Sequence, residues 1–325
     1  MSMRGYTVAA IVAMAGLVCP GDRDVWAQNY PTRPVRIVTA EAGGGHDFIS
    51  RLTARGMTDH LGQQFVVDNR GAASGAIAAE TVAKATPDGY TLLLHGAPVW
   101  LLPYLRSNVA HDPIRDFAPI TWATNSPNVL VVNPSVPVKS VSELIALAKA
   151  RPGTLNYVAS TIGGASHLAA ELFKAMATVD IVRVTYKGTG PALSDLIGGH
   201  VQLMFGTGGA VTPHVKSGKL RAIAVTSAEP SALMPGLPTV ASAGLPGYVS
   251  VTISGFMAPS RTPASLVRML NQEILRVITN PVAKEQLFNS GIEVVASTPE
   301  RFAETIKSEM ARMGKVIKDA GIKSD

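Results

Sequence analysis

Short segments rich in β-branched residues alternate with helical patterns, and this alternation constrains the fold more than any other feature of the chain. The first series runs from a strand at residues 35–39 to a strand at 90–95, and the second runs from 129–132 to 220–226. Strands that alternate with helices pair mainly in parallel. The sequence therefore predicts an α/β fold made of two α/β units.

The last third of the chain has a helical pattern, and three X-Pro pairs mark the predicted helix starts. Thr262-Pro263, Asn280-Pro281 and Thr298-Pro299 each place a potential capping side chain before a proline at the first helical position. A strand-like segment at 292–296 interrupts these helices and needs a sheet to join. We expect it to join the first unit, so the chain must return there after the second unit.

These connections predict two lobes joined by a hinge, with a ligand cleft between them. The chain crosses to the second lobe near 122–128 and returns near 251–256, and two crossings favour hinge motion. The predicted boundaries are residues 28–124 and 254–325 for lobe 1 and residues 125–253 for lobe 2.

Two glycine-rich turns join a strand to a helix, one in each unit. The first is Ala-Gly-Gly-Gly-His-Asp at 42–47, and the second spans 160–167. A third helix start follows at 187–191. Each turn places a helix N-terminus at the carboxyl end of a strand, where open α/β sheets bind ligands. Free backbone N–H groups and the helix dipole attract anions there, so these turns predict a carboxylate site.

Each of these residues also has a purely structural interpretation. A glycine-rich turn can simply be a tight connection. Asp47 and Ser166 are natural N-terminal capping residues. His46 and His167 can be exposed loop residues or donors to an acidic ligand, and Lys187 can be a solvated cation.

Composition and motifs argue against most catalytic and nucleic-acid functions. The net charge is +6, but no run of Lys or Arg could follow a phosphate backbone. None of the seven histidines forms a metal-ligand pair, and no phosphate-binding or nucleophile-elbow motif is present. We therefore predict no metal, no cofactor, no nucleic-acid partner and no enzymatic activity.

The first 27 residues have the pattern of a signal peptide. Arg4 precedes an apolar stretch at 7–18, and Val25-Trp26-Ala27 has the shape of a cleavage site. The single cysteine, Cys19, lies inside this segment, so the mature chain has no thiol, which suits an oxidising compartment. The sequence predicts a signal peptide at 1–27 and export to the periplasm.

Segments spread over essentially the whole predicted mature chain match a known protein family in the expected order. They include Pro-Asp-Gly-Tyr-Thr-Leu at 87–92 and Pro-Asn-Val-Leu-Val-Val-Asn-Pro at 127–134, and the others are 30–38, Gly43-Gly44 with Asp47, 67–70, 116–119, 186–188, 218–222, 237–240 and 244–248. These segments closely resemble the Bug family of periplasmic solute-binding receptors, which serve tripartite tricarboxylate transporters. The resemblance implies a two-lobed type II periplasmic-binding fold that captures a small carboxylate and passes it to membrane permease subunits.

The resemblance also implies three ligand loops, at 42–47, at 161–167 and around 206–208. Together with the helix start at 187–191, they give the predicted ligand-binding residues, which are Gly43, Gly44, Gly45, His46, Asp47, Thr161, Gly163, Gly164, Ala165, Ser166, His167, Gly188, Gly206 and Thr207. The chain departs from the family at His46, where a small Ser or Thr is commoner, and at Glu41. His46 would attract a second carboxylate and Glu41 would repel one, so the identity of the carboxylate stays open.

Two other functions remain compatible with the sequence. The first is a ligand-sensing receptor of the same fold that reports to a signalling partner instead of a permease. The second is a hydrolase that uses Ser166 and His167. Adjacent residues at a helix start point in different directions, so a hydrogen bond between these two side chains is geometrically poor.

Overall fold

The computed structural model describes residues 30–40, 42–71, 75–159, 163–186 and 188–323. These residues form ten strands and ten helices, which confirms the predicted α/β class. The strands are β1 Val35–Thr39, β2 Phe65–Asn69, β3 Thr91–Gly96, β4 Phe117–Val132, β5 Asn156–Ala159, β6 Val182–Thr185, β7 Leu203–Thr207, β8 Arg221–Val225, β9 Val251–Pro259 and β10 Glu293–Val294. The predicted signal peptide lies outside the described residues.

The helices alternate with the strands through the first two thirds of the chain and then dominate the last third. They are α1 Gly45–Leu61, α2 Ala76–Ala83, α3 Ala97–Leu105, α4 Val141–Ala150, α5 Ala165–Ala177, α6 Thr189–Gly198, α7 Gly208–Lys216, α8 Ala264–Ile278, α9 Pro281–Asn289 and α10 Pro299–Asp319. Among the described residues, no helix is both long and apolar enough to cross a bilayer.

The strands form one mixed sheet in the order β2-β1-β3-β9-β4-β7-β5-β6. Strands β1, β2 and β3 pair in parallel, as do β5, β6 and β7. Strands β4 and β9 run antiparallel to their neighbours and connect the two parallel groups. The sheet therefore consists of two βα units that share a pair of long central strands.

Strand β4 has 16 residues and is much longer than the predicted strand at 129–132. Its first part pairs with β9 from Phe117 to Pro127, and its last part pairs with β7 and β8. The register shifts between Pro119 and Thr121 and again between Trp122 and Thr124. These irregularities admit prolines and polar residues that break the usual strand pattern, which explains why the sequence predicted only its end.

The C-terminal segment behaves as predicted with one exception. Asn280 and Thr298 cap α9 and α10 by accepting the N–H groups of Val282 and Arg301. Thr262 does not cap α8, because its hydroxyl donates to the Pro259 carbonyl. The strand predicted at 292–296 shortens to β10, which pairs with Thr124 and Asn125 of β4. It thus joins the half of the sheet that carries β1 to β3.

Two helices that the sequence analysis did not predict flank the candidate site. Helix α3 is apolar on almost every side and contains Pro103, so it lacks the period of an amphipathic helix. Helix α7 begins with two glycines and contains Pro213, which also weakens a helical signal. The predicted lobe boundaries remain a prediction.

Candidate functional site

The two glycine-rich loops meet at one cavity. His46 of α1 lines a cavity of about 120 Å³ together with Gly163 and Ala165 of the second loop. We name this space the apolar cavity. Its other walls come from α3, α5, α10 and the segment around the start of β9, which contribute Ala97, Pro98, Leu101, Leu168, Ser250, Val251, Thr252, Glu309 and Met313.

Asp47 holds the first loop in place. Its carboxylate accepts the Gly43 N–H at 2.9 Å, the Arg51 Nε–H at 3.1 Å and the Asn69 amide at 2.9 Å. Burial alone would raise the pKa of Asp47, but the hydrogen bonds from Arg51, Gly43 and Asn69 lower it to about 2. The carboxylate is therefore ionised and already bound by three donors. Asp47 lies in the first turn of α1, whose N-cap residue is Gly44, so its position matches the predicted dipole-compensating role and not the predicted capping role.

His46 packs on a second, buried histidine. Its ring stacks on His95 with the centroids 5.0 Å apart and the planes at 26°. Burial, and then the neighbouring His46, lower the pKa of His95 to about 3, so His95 is neutral. A Cβ at Gly96 would lie 3.0 Å from His46 Nε2 and 2.3 Å from the Ile253 carbonyl oxygen. A side chain at position 96 would therefore clash with the β9 backbone and crowd the His46 ring.

The second loop is held by His167, whose side chain is only 1% exposed. Its Nδ1 accepts the Gly163 N–H at 2.9 Å, and Arg183 lies 2.9 Å from Nε2. Burial, and then the charge of Arg183, lower the pKa of His167 to about 4. The ring is thus neutral and sits beneath the loop. Thr161 of this loop, like Lys187, lies outside the described residues.

The start of α5 differs from the capping prediction. The N-cap residue is Gly164, so Ser166 lies inside the first turn and does not cap the helix. Its hydroxyl makes no hydrogen bond to His167, whose ring nitrogens face Gly163 and Arg183. A Ser–His nucleophile pair is therefore not formed at these positions.

A second cavity of about 200 Å³ lies at the starts of three helices. It is bounded by the first residues of α5, by Thr189 of α6, and by Gly206 and Thr207 before α7. The N-cap positions Gly164, Gly188 and Thr207 make no side-chain capping hydrogen bond. Orphan N–H groups of three first turns therefore surround this space, which we name the amide cavity. The helices that meet here are α5, α6 and α7, whereas α1 borders the apolar cavity.

Asn128 of β4 is a site residue that the sequence analysis missed. It lines the amide cavity and is 1% exposed, yet neither its Oδ1 nor its Nδ2 has a hydrogen-bond partner. The buried hydroxyl of Ser166 in the same wall also lacks one. Buried polar atoms without partners destabilise a folded chain by roughly 1–3 kcal/mol each. An anionic ligand would accept hydrogen bonds from two of these atoms, Asn128 Nδ2 and the Ser166 hydroxyl.

The glycines of the predicted site have different roles. Gly43 and Gly163 have φ values of 81° and 74°, where a side chain would be strained. Gly206 allows close packing of α7, because a Cβ there would lie 2.5 Å from Val211 Cγ1. Gly45 and Gly188 face open space.

Ala165 lines both cavities, so the two are adjacent. Among the described residues, no Lys or Arg lines either one. Within the described part of the chain, no group of three or more His, Cys, Asp or Glu could hold a metal ion. The chemistry offered is therefore that of backbone N–H groups, hydroxyls and one amide beside an apolar wall.

A larger groove of about 830 Å³ lies between α1, α8 and α9. It contains none of the predicted ligand-binding residues. Its size alone does not make it the binding site, because it lacks convergent buried polar groups.

Comparison with known proteins supports the ligand-binding interpretation. A structure of Rpa4515 from R. palustris with adipate is 38% identical, with a TM-score of 0.75, and the match covers 90% of this chain and 99% of that one. The periplasmic binding protein BugD is 32% identical, with a TM-score of 0.72, and the match covers 91% of this chain and 100% of BugD. MatC from Rhodopseudomonas palustris with bound malate is 30% identical, with a TM-score of 0.72, and the match covers 89% of this chain and 100% of MatC.

These similarities confirm the two-lobed type II periplasmic-binding fold and the resemblance to the Bug family. Residues 49–322 match the family described as "Tripartite tricarboxylate transporter family receptor", TctC. This match covers most of the chain, including both cavities apart from His46. The protein therefore belongs to the TctC family of tripartite tricarboxylate transporter receptors.

Proposed function

We propose that this protein is a periplasmic receptor that captures a small organic carboxylate between its lobes and delivers it, chemically unchanged, to membrane permease subunits. The observation that carries the proposal is the amide cavity, where three uncapped helix starts surround buried, unpartnered atoms of Asn128 and Ser166. Helix N-termini are established anion sites. The related structures that hold adipate and malate support a carboxylate as the anion.

Backbone and neutral side-chain groups would supply the binding energy. A hydrogen bond to a charged group contributes about 1.5–3 kcal/mol, and each helix dipole adds about 0.3–1 kcal/mol near the N-terminus. Several such contacts together would bind a carboxylate without a cationic side chain among the described lining residues. Asn128 would donate through Nδ2, and Ser166 through its hydroxyl.

The sheet topology supports the proposed lobes at 28–124 with 254–325 and at 125–253. Strands β4 and β9 pair with each other beside the proposed crossings, so they would form the hinge. The proposed signal peptide at 1–27 would direct the chain to the periplasm. Membership of a receptor family supports binding without catalysis. The missing hydrogen bond between Ser166 and His167 supports it as well.

The proposal is tested by replacing Asn128 with Leu and measuring carboxylate binding by calorimetry. We expect affinity to fall about 10- to 100-fold, because one or two hydrogen bonds to a charged ligand are lost. The stability of the ligand-free protein should not fall, because the Asn128 amide has no partner to lose.

Asn133→Leu, directly after the C-terminal end of β4, is the matched control. The Asn133 amide donates to the carbonyls of Leu196 and Ile197 and accepts from Ser135, so this variant should lose stability and keep its affinity. Undiminished affinity in Asn128→Leu, or conversion of the ligand seen by NMR, would contradict the proposal.

A further inference from the structure

We propose that the ligand of this receptor is a carboxylate with an apolar body, such as a hydrocarbon chain or ring, and that hydroxylated acids are rejected. The inference rests on the proposed function and defines the substrate class of the same site. It follows from the apolar cavity, which the sequence analysis did not foresee.

The wall of the apolar cavity is mostly hydrocarbon. Seven of its twelve lining residues carry apolar side chains, so a ligand that enters it must be largely apolar there. Leu101, Leu168 and Met313 come from three different helices and are almost fully buried. They therefore form a packed, water-excluded wall.

The position of the apolar cavity decides which part of the ligand it meets. Ala165 belongs to both cavities, so a carboxylate in the amide cavity directs the rest of the molecule toward Leu101 and Met313. An apolar protein cavity of about 150 Å³ binds benzene. The volume of about 120 Å³ found here suits a few methylene groups or a compact ring.

The polar groups of this wall are few. Glu309 forms an ion pair with Arg312, and Arg312 also donates to the Val249 carbonyl at 2.6 Å. The other polar side chains are those of His46, Ser250 and Thr252. A body with a hydroxyl on every carbon would lose its water here without gaining enough partners, which is unfavourable.

Matched pairs of acids test the proposal on the unmodified protein. Adipate and galactarate have the same six-carbon length and the same two carboxylates, and they differ only in hydroxyl groups. Succinate and malate differ by one hydroxyl. Titration calorimetry should show adipate binding at least about tenfold more tightly than galactarate, with the same direction for succinate over malate.

Equal or tighter binding of galactarate would overturn the proposal and leave the proposed function intact. Hexanoate and benzoate extend the panel to acids with one carboxylate. If none of the six acids bound to folded protein, the proposed function itself would fail, and the inference with it.

A substitution in the apolar cavity tests whether the body of the ligand lies there. Met313→Gln keeps the length of the side chain and adds an amide to the apolar wall, so it should weaken adipate about tenfold and narrow the adipate-to-galactarate ratio. Met310→Gln on the same helix is the control, because Met310 lines a separate surface pocket. An unchanged ratio in folded Met313→Gln would contradict the placement of the ligand body.

Discussion

At the scale of single residues, His95 and His167 act as neutral packing and hydrogen-bonding groups beneath the two loops. His95 supports His46 from below, and His167 accepts the backbone N–H of Gly163. Protonating His167 would place a positive charge beside Arg183 and remove the acceptor for Gly163. The loop geometry thus depends on an uncharged ring.

This neutral state makes stability depend on pH. The pKa of His167 is about 4 in the folded protein against the ordinary histidine value of 6.5, so the unfolded chain binds more protons between these values. The free energy of unfolding should fall as the pH drops from about 6.5 to 4, by up to about 1.4 kcal/mol per pH unit for this group.

His167→Gln removes the titrating group and should reduce this slope, measured by urea unfolding at several pH values. The control His200→Gln removes an exposed imidazole after α6 and should leave the slope in place. An identical slope in His167→Gln would show that other groups cause the acid sensitivity.

The predictability of the site also differs from residue to residue. Gly43, Gly163 and His46 are visible in the sequence because glycine-rich turns after strands are local signals. Asn128 lies where the polar part of β4 meets its apolar end, and its role depends on α5 and α7, which approach it from distant parts of the chain. No local sequence pattern indicates that these two helices come close to Asn128.

At the scale of elements, the βα units were predicted to within a few residues because their periodicity is local. Strand β4 was recovered only at its apolar end, since its first part is stabilised by pairing with β9 from more than 100 residues away. Helix α3 has no polar face, so its amphipathic period is absent. Tertiary pairing, which the sequence does not display, determines these elements.

Residue 96 at the end of β3 lies against both β9 and His46 of α1, so we expect only glycine to fit there. Gly96→Ala would push a Cβ against the Ile253 carbonyl, and we expect a loss of about 1–3 kcal/mol in the free energy of unfolding together with weaker ligand binding. Chemical denaturation and calorimetry measure both quantities.

Gly45→Ala is the matched control for this substitution. A Cβ at Gly45 meets nothing within 4 Å, and the residue occupies the first position of α1. Its stability should remain within about 1 kcal/mol of the parent. Equal effects of the two substitutions would contradict the steric explanation.

At the scale of the whole molecule, one hydrophobic cluster connects both halves of the sheet. It contains Val38 and Leu93 from one parallel group and Phe205 from the other, together with Phe302 and Met313 of α10. Helix α10 packs against both α3 and α5. The proposed lobes are therefore mechanically and energetically coupled.

This shared core predicts a single unfolding transition. Differential scanning calorimetry should give one cooperative peak for the ligand-free protein, and a bound carboxylate should move the whole peak to higher temperature. Two resolved peaks, of which only one moved with ligand, would show that the halves unfold independently.

The described residues that line the amide cavity include no Lys or Arg, and this has a consequence for delivery. An anion held by peptide dipoles has no full countercharge to leave behind when the lobes separate. Its departure leaves only N–H groups that water can rehydrate at once. Such a receptor can bind its ligand tightly while closed and still release it quickly to a downstream protein.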